Sequence, residues 1–376
     1  MGIANPFTIE IYDKNFNLKC FIGDPETVVA TPRYNQKSTA VFTVASDHHR
    51  LPELTAFGAR AVLRYYGEFL MSGIINLRSG QGPGVSGIVS IYLDGDFRIL
   101  DNVLGWVVPS AVISQQGSSE YYVIGGNAES VVKDLVTANV ITRLGLPVIC
   151  ANNQNRGAVI PGGIKARFQP LRDLLLPAVE NAGLGITFSQ EGSRIVCDVY
   201  VPRTSPRVLT ERGGMITDWT WSDANPAATR VVVAGQGDGM ARVFRTTADT
   251  VTEGIYGDMV EVFRDARDAD TTALLDARSQ ESLADGRPKF GFSLTLAETA
   301  TFRYGGTGIH VGDRVTVDLG FAERTDILRE AVLSWNRNDG VTVLPLVGEI
   351  QDNPDRTLGN FLRSLRRGIS DLKVTK

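Results

Sequence analysis

The feature that most restricts what this chain can fold into is a change of hydrophobic period along it. Residues 1–110 carry short runs with apolar side chains at every second position, TIEIYD, TAVFTVA, RAVLRYY and EFLMSGIINL, separated by turn material such as Asp24-Pro25 and Gly67. In Arg60-Ala61-Val62-Leu63-Arg64-Tyr65 the two arginines share one face while Ala61, Leu63 and Tyr65 share the other. That pattern predicts one face in a core and one in water. Gly87 to Leu93 repeats the device, with Val89, Ile91 and Leu93 alternating with Ile88, Ser90 and Tyr92 before Asp94-Gly95-Asp96 turns the chain. Closing such strands into a small barrel would bury the apolar faces and leave few sheet edges.

From about residue 120 the period lengthens. Asn127 is placed to cap a helix whose Val131, Val132, Leu135, Val136 and Val140 fall at three- and four-residue spacings, with Gly145 and Pro147 to end it. A second helix begins with Pro170 near its first position, carries Leu171, Leu174, Leu175, Ala178 and Val179, and stops at Gly183. A strand over 194–200 follows. Strands return at 230–234, and the charged run from Arg264 to Asp268 leads into a helix over 271–284 that Asp285-Gly286-Arg287-Pro288 ends. The stretch 290–348 is β again, closing in a hairpin of 331–335 with 341–345 around Asn338-Asp339-Gly340.

These periods predict a β-rich α+β fold. Two small β-barrels, at 1–112 and at 211–350 with a helical insert near 256–290, flank an α+β region at 113–210. In 351–376, Leu358, Leu365 and Leu372 stand seven apart with Phe361, Leu362 and Ile369 between them, which predicts an amphipathic C-terminal helix with heptad-like spacing. About two heptads are marginal alone, so this helix needs a partner surface, either its own domain or sister helices.

Composition narrows the function. The 376 residues leave room for two or three domains. Lys and Arg number 38 against 42 Asp and Glu, a net charge of −4 that lacks the basic excess of a phosphate-gripping surface. Cys20, Cys150 and Cys197 are widely separated and odd in number, so neither a disulfide framework nor a CxxC site can be drawn, and Cys150 and Cys197, set among Val and Ile, read as buried structural thiols. No basic stretch precedes an apolar run near Met1 and no window offers the ~18 apolar residues of a membrane span. A soluble protein of a reducing compartment is the expectation.

The motifs that invite chemistry each meet a simpler reading. Val231-Val232-Val233-Ala234-Gly235-Gln236-Gly237-Asp238-Gly239 has the glycines of a dinucleotide loop, but Met240 to Phe244 continue as a strand where a phosphate-binding helix should open, so it reads as an inter-strand turn. His48 and His49 after Asp47 are adjacent, and on an extended segment they would point to opposite sides of the chain, so they read as a solvated turn between strands ending near Ala45 and beginning near Ala59. No nucleophile elbow or Cys/His signature occurs. Asp94, Asp96, Asp265 and Asp268 could converge as a carboxylate pair, but the first two bracket a turn and the others belong to an alternating, solvated charge run. No catalytic, cofactor-binding or metal-binding residue is assigned.

Six stretches, in this order, resemble the tail-hub proteins of long-tailed phages, in particular the minor tail proteins of siphophages that infect actinobacteria. They are LPELTAFGARAVLRYYGEFLMSGII at 51–75, GGNAESVVKDLVTANVITRLG at 125–145, RFQPLRDLLLPAVENAGLGITFSQ at 167–190, AATRVVVAGQGDGMAR at 227–242, FRDARD at 263–268 and VGDRVTVDL at 311–319. The resemblance implies a non-enzymatic homotrimer at the distal end of the virion tail, assembled in the host cytoplasm. Two barrels per subunit would build a ring joining a sixfold tube to a threefold tip, similar to the central hub of contractile-tail baseplates. It implies contact with the distal tail protein, the tape-measure protein and tip or receptor-binding proteins, with DNA only in transit, and it makes Leu358, Leu365 and Leu372 candidate trimer contacts. Two readings from other classes stand beside it: a carbohydrate-binding module and a tail-associated glycan hydrolase acting on host cell wall.

Overall fold

The computed structural model describes residues 4–82, 87–267, 269, 271–299, 302–306 and 308–350. The period-two runs become strands of one large sheet. Its order, edge to edge, is Ile216–Ala224, Lys289–Leu296, Gly340–Gly348, Glu323–Asn336, Thr27–Thr31, Thr39–Ala45, Ile88–Gly95, Glu68–Gln81, Arg60–Tyr65, Phe7–Tyr12 and Leu18–Ile22, with every neighbour antiparallel. A branch adds Arg314–Asp318, antiparallel to Glu323–Asn336 and parallel to Thr204–Thr210, which makes thirteen strands. The predicted hairpin has the expected register, Ala331 opposite Pro345 and Trp335 opposite Val341.

The expected pair of separate barrels takes a different form: among the described residues the ladder is open and runs through both halves of the chain. Thr27–Thr31 holds Thr39–Ala45 on one edge and Glu323–Asn336 on the other, with Ala30 opposite Leu333. The edge that would close an N-terminal barrel is therefore occupied by a strand from the far end of the sequence. Arg33 reinforces the seam by donating to Glu330 at 2.5 Å. One apolar core follows, in which Phe42, Ile91 and Leu93 share a cluster with Val315, Leu333 and Val347.

The α+β region forms as its spacings require. The Asn127 side chain accepts from Ser130 N at 2.9 Å and caps the helix Ala128–Val136, which widens into a π-helical turn over Thr137–Thr142. Pro170 caps Leu171–Asn181, which turns Leu171, Leu175 and Val179 inward. Both helices pack with a three-stranded sheet of Gly185–Glu191, Arg194–Tyr200 and Val148–Cys150 around a second core, which also takes Phe97, Leu100 and Val103.

The insert near 256–290 is less helical than expected. It contains the strand Glu261–Asp265 between the helices Thr250–Tyr256 and Thr272–Asp285. That strand pairs parallel to Arg230–Ala234, whose other edge pairs antiparallel to Phe244–Ala248. A parallel pair needs a crossover, and the helix Thr250–Tyr256 lies on it. The candidate C-terminal helix, with Leu358, Leu365 and Leu372, lies outside the described residues.

The face of Arg60–Tyr65 expected to be wet is partly buried, because the α+β region lies against it. Arg60 and Val62 are buried together with Ala61, Leu63 and Tyr65. Arg60 Nη2 donates to both carboxylate oxygens of Asp96 at 2.6 and 2.7 Å, and its Nε donates to Gln190 Oε1 at 3.1 Å. The guanidinium lies 4.6 Å from the ring of Phe16, which has φ +65, an uncommon conformation for a residue with a Cβ. Ser72 Oγ donates to Asp96 at 2.6 Å and accepts from Gln190 N at 2.9 Å. With side-chain exposures of 9% and 1%, Arg60 and Asp96 form a buried ion pair within the sheet layer, and Gln190 ties it to the α+β region.

Removing one partner of such a pair strands a buried charge. Asp96→Asn is expected to lower unfolding stability by about 3–5 kcal/mol in urea titrations. Arg60→Met combined with Asp96→Asn is expected to lose less than the sum of the two single changes.

Candidate functional site

Three places gather exposed apolar or buried charged side chains. The first is the sheet edge Ile216–Ala224, which pairs only with Lys289–Leu296 among the described strands. Trp219 and Trp221 lie two apart on this strand, so both project from the same face, where each meets Phe321. The ring centroids are 5.4 and 5.6 Å apart, at interplanar angles of 49° and 60°. Trp219 Nε1 donates to Glu211 at 3.2 Å, while Trp221 and Phe321 remain 41% and 60% exposed. The spacing of the tryptophans was legible in the sequence. Phe321, from the turn before the strand Glu323–Asn336, was not.

The opposite sheet edge, Leu18–Ile22, pairs only with Phe7–Tyr12 among the described strands and leaves Leu18 and Phe21 exposed. Phe57 is almost fully exposed, and the Gly58 backbone beside it packs on Lys14, next to this hairpin. An unpaired strand with exposed apolar side chains is a template for another chain, and neither edge is blunted by proline within the strand. A third exposed surface lies on the α+β region: Trp106 and Phe168 meet at 6.0 Å, and the Arg143 guanidinium stacks 4.6 Å from Trp106. Val107, Ile113 and Arg167 line an open groove of about 590 Å³ beside them.

The residues singled out for chemistry have structural partners. Asp94 receives Lys37 Nζ at 3.0 Å and Asp96 belongs to the buried pair, so both acids act in ion pairs; Asp265 is bonded by Arg242, and Asp268 lies outside the described residues. The segment of His48 and His49 is the expected turn after Thr39–Ala45, although the two rings do not diverge. Their rings stack at 4.8 Å because the segment is a turn, and His48 Nε2 lies 3.1 Å from Asp24 Oδ1. No group of three or more metal-ligating side chains occurs among the described residues. The glycine-rich loop does join antiparallel strands, but Met240 to Val243 do not continue as one: a 3-10 turn over Gly239–Ala241 comes first and the strand starts at Phe244. A Cβ at Gly235 would lie 2.9 Å from Leu275 and 3.0 Å from Ala269 O, so glycine there permits close packing on the helix Thr272–Asp285.

A second buried charge cluster escaped the sequence reading. Glu129 is fully buried and accepts Lys133 Nζ at 2.6 Å, Gln154 N at 3.1 Å and Arg156 N at 2.8 Å. Lys133 also donates to Asp198 at 3.0 Å. Burial pushes the Glu129 carboxyl up, but its bonds with Lys133 and the two backbone N–H groups outweigh that and hold it below the ordinary glutamate value. For Lys133 burial pulls down, and the bonds to Glu129 and Asp198 raise it on balance. The i, i+4 spacing was the available signal; the partners from 154, 156 and 198 are distant in sequence. Cys150 and Cys197 are a further correction: Cys197 is buried, Cys150 is only half-buried, and the two stand opposite one another in a parallel ladder.

The sequence profile of the family described as Siphovirus ReqiPepy6 Gp37-like protein matches residues 8–349. No curated protein matches the chain. Among solved structures, the tail protein from Neisseria meningitidis MC58 superposes with a TM-score of 0.61 at 15% identity, over 92% of this chain and 97% of that one. The 43 kDa tail protein of prophage MuSo2 from Shewanella oneidensis gives 0.59 at 10% identity, over 91% and 98%. The prophage tail protein gp18 from Listeria monocytogenes EGD-e gives 0.58 at 10% identity, over 96% and 99%. At these identities what is shared is the fold, and it is shared over nearly the full length of each chain.

The Glu129–Lys133 pair sets a pH window. A carboxyl held low in the folded state contributes stability above its unfolded value and loses it as pH falls through the folded one. A lysine held high contributes below its unfolded value and loses that as pH rises through the folded one. Urea midpoints are therefore expected to fall on acidification below the ordinary glutamate range. Glu129→Gln, which leaves Lys133 without its closest carboxylate, is expected to cost about 3 kcal/mol at neutral pH and to flatten that acid limb.

Proposed function

The chain belongs to the Siphovirus ReqiPepy6 Gp37-like family, and from that premise we propose that it is a structural hub protein at the distal end of a long-tailed phage tail. Three copies form a ring that joins the tail tube to the tip and lets DNA pass. The observation that carries this reading is a fold shared with three proteins described as tail proteins over at least 91% of the chain.

In this assembly residues 1–112 and 211–350 serve as the two hub-type β units, joined through one sheet rather than closed as separate barrels, with 113–210 as the α+β unit between them in sequence and 351–376 as a helix that contacts its two sisters through Leu358, Leu365 and Leu372. The distal tail protein, the tape-measure protein and tip or receptor-binding proteins are its neighbours. Its work is geometric, and opening comes from rearrangement of subunits or of a plug. A net charge of −4 per copy suits a lumen past which a polyanion slides.

The two sheet edges that lack a second neighbour among the described strands, each with exposed large apolar side chains, supply the subunit contacts. The cluster of Trp219, Trp221 and Phe321 is also what a carbohydrate-binding module would display. Its rings are tilted against one another, so they form a knob of packed edges that fits a protein cleft better than a flat sugar face.

Light scattering on the full chain is expected to give three times the 40.8 kDa monomer mass, and negative-stain images a threefold ring with an axial opening. A compact monomer that binds or cleaves host cell-wall glycan would overturn the hub reading. Trp221→Ser with Phe321→Ser is expected to lower the oligomer mass while costing the monomer about 0.5–1.5 kcal/mol for the lost ring contact, since Trp221 and Phe321 are 41% and 60% exposed and touch each other. Deleting 351–376 is expected to make the trimer dissociate on dilution; an unchanged mass would remove the terminal helix from the contact.

A further inference from the structure

Cys150 and Cys197 are far apart in sequence and adjacent in space. The strands Val148–Cys150 and Arg194–Tyr200 run parallel, with Val148 opposite Ile195, Ile149 opposite Val196 and Cys150 opposite Cys197. Directly opposed ladder positions put their side chains on the same face, and neighbouring strands lie about 4.8 Å apart. That separation falls within the ~4.4–6.8 Å Cα range that a disulfide spans. The sulfurs are also unlike. Cys197 is on the central strand of its three-stranded sheet and completely buried, whereas Cys150 ends the edge strand and is half-buried.

We infer that Cys150 and Cys197 are a peroxide-oxidisable pair that closes an intrachain disulfide across this ladder. Cys150 is the entry sulfur. Its thiolate attacks one oxygen of hydrogen peroxide, the O–O bond breaks, and the departing hydroxide takes a proton and leaves as water, so that Cys150 becomes a sulfenic acid. The thiolate of Cys197 then attacks the Cys150 sulfur. The S–O bond breaks, the S–S bond forms, and the hydroxide leaves with a proton as a second water. Two thiols lose two electrons and two protons, and one peroxide is reduced to two waters.

The surroundings support this division of roles. The Cys150 thiol donates to the Lys133 carbonyl at 3.7 Å and lies 3.8 Å from Thr137 Oγ1. The neighbouring Cys197 thiol lowers Cys150 to about 7, which populates the thiolate near neutrality, while Cys150 and burial push Cys197 up. Cys20 belongs to the large-sheet core and has no part in the pair. A reduced pair suits assembly in a reducing compartment, and an oxidised one suits a particle outside it. The bond would pin the three-residue strand Val148–Cys150, whose one ladder neighbour among the described strands is Arg194–Tyr200.

The full chain, reduced and freed of reductant, is treated with hydrogen peroxide and mapped without reduction by mass spectrometry. Expected are a peptide linking Cys150 to Cys197 within one molecule, a mass lower by two hydrogens, and an upward shift of the thermal midpoint that dithiothreitol reverses. In Cys197→Ser the oxidation is expected to stop at a Cys150 sulfenic acid that dimedone captures, while Cys20→Ser forms the link as the parent does. The parent chain alone decides the matter if either variant fails to fold. A dimedone adduct on Cys150 of the parent without the linked peptide, or free thiols at both positions after treatment, would overturn the inference.

Discussion

The α+β region meets the large sheet at the buried ion pair of Arg60 and Asp96, both in the sheet layer, which Gln190 ties to Gly185–Glu191. Taking a guanidinium and a carboxylate out of water costs several kcal/mol per ion unless their hydrogen-bonding groups are met. Here Asp96 takes two bonds from Arg60 and one from Ser72, and Arg60 reaches Gln190 while stacking on Phe16. The same seam continues at Tyr34, whose hydroxyl donates to Leu184 O at 2.6 Å, and at Asn35, which donates to that oxygen at 3.1 Å and accepts from Ile186 N at 2.8 Å. Side chains of the sheet layer thus engage Gly185–Glu191 and the residue before it near both ends. Apolar contact tolerates sliding, and hydrogen bonds of this geometry do not. The two large apolar cores are separate clusters, and the junction also carries apolar contact, with Phe16 packed on the second core and Phe97 meeting Phe188 at 6.1 Å; the polar bonds add direction to that packing.

What the sequence made legible was local. Thr39–Ala45 and the Asn127 cap follow from residues within one turn or one strand of each other, and the structure has them where the spacing put them. The errors have one origin. A charge on a strand face states that the position needs a polar environment, and water and a distant carboxylate satisfy that requirement equally. Nothing near Arg60 announces Asp96 or Gln190. The Glu261–Asp265 strand was hidden in the same way, since a run rich in charge reads as solvated although Val231 and Val233 pair beside it. Barrel closure was misjudged because the partner of Thr27–Thr31 comes from the last described part of the chain.

The candidate contact surfaces divide along the same line. The two tryptophans of Ile216–Ala224 could be read as one face of a strand, but Phe321 reaches them only because Arg314–Asp318 and Glu323–Asn336 bring that turn beside the sheet edge. The cysteine pair is a sharper case. Spacing argued for isolated structural thiols, and a parallel ladder, which requires a long connection, makes them neighbours.

A sheet that joins the first and last described parts of the chain has a mechanical consequence for the proposed ring. A ring of identical subunits closes only if each copy holds its two unlike contact surfaces at a fixed angle; otherwise the contacts propagate as an open helix. Among the described strands, Leu18–Ile22 and Ile216–Ala224 are the two ends of one ladder, and the strands between them share a single packed core. Two barrels linked by a flexible connection would let that angle drift. In the continuous sheet the angle follows from the accumulated twist of the strands, and the Thr27–Thr31 to Glu323–Asn336 seam, clamped by Arg33 and Glu330, is the joint through which the two halves hold each other. A hub of the proposed kind that must keep its shape until a host is engaged requires that stiffness in the ring, and opening then comes from movement between subunits or of a plug rather than from bending within one subunit.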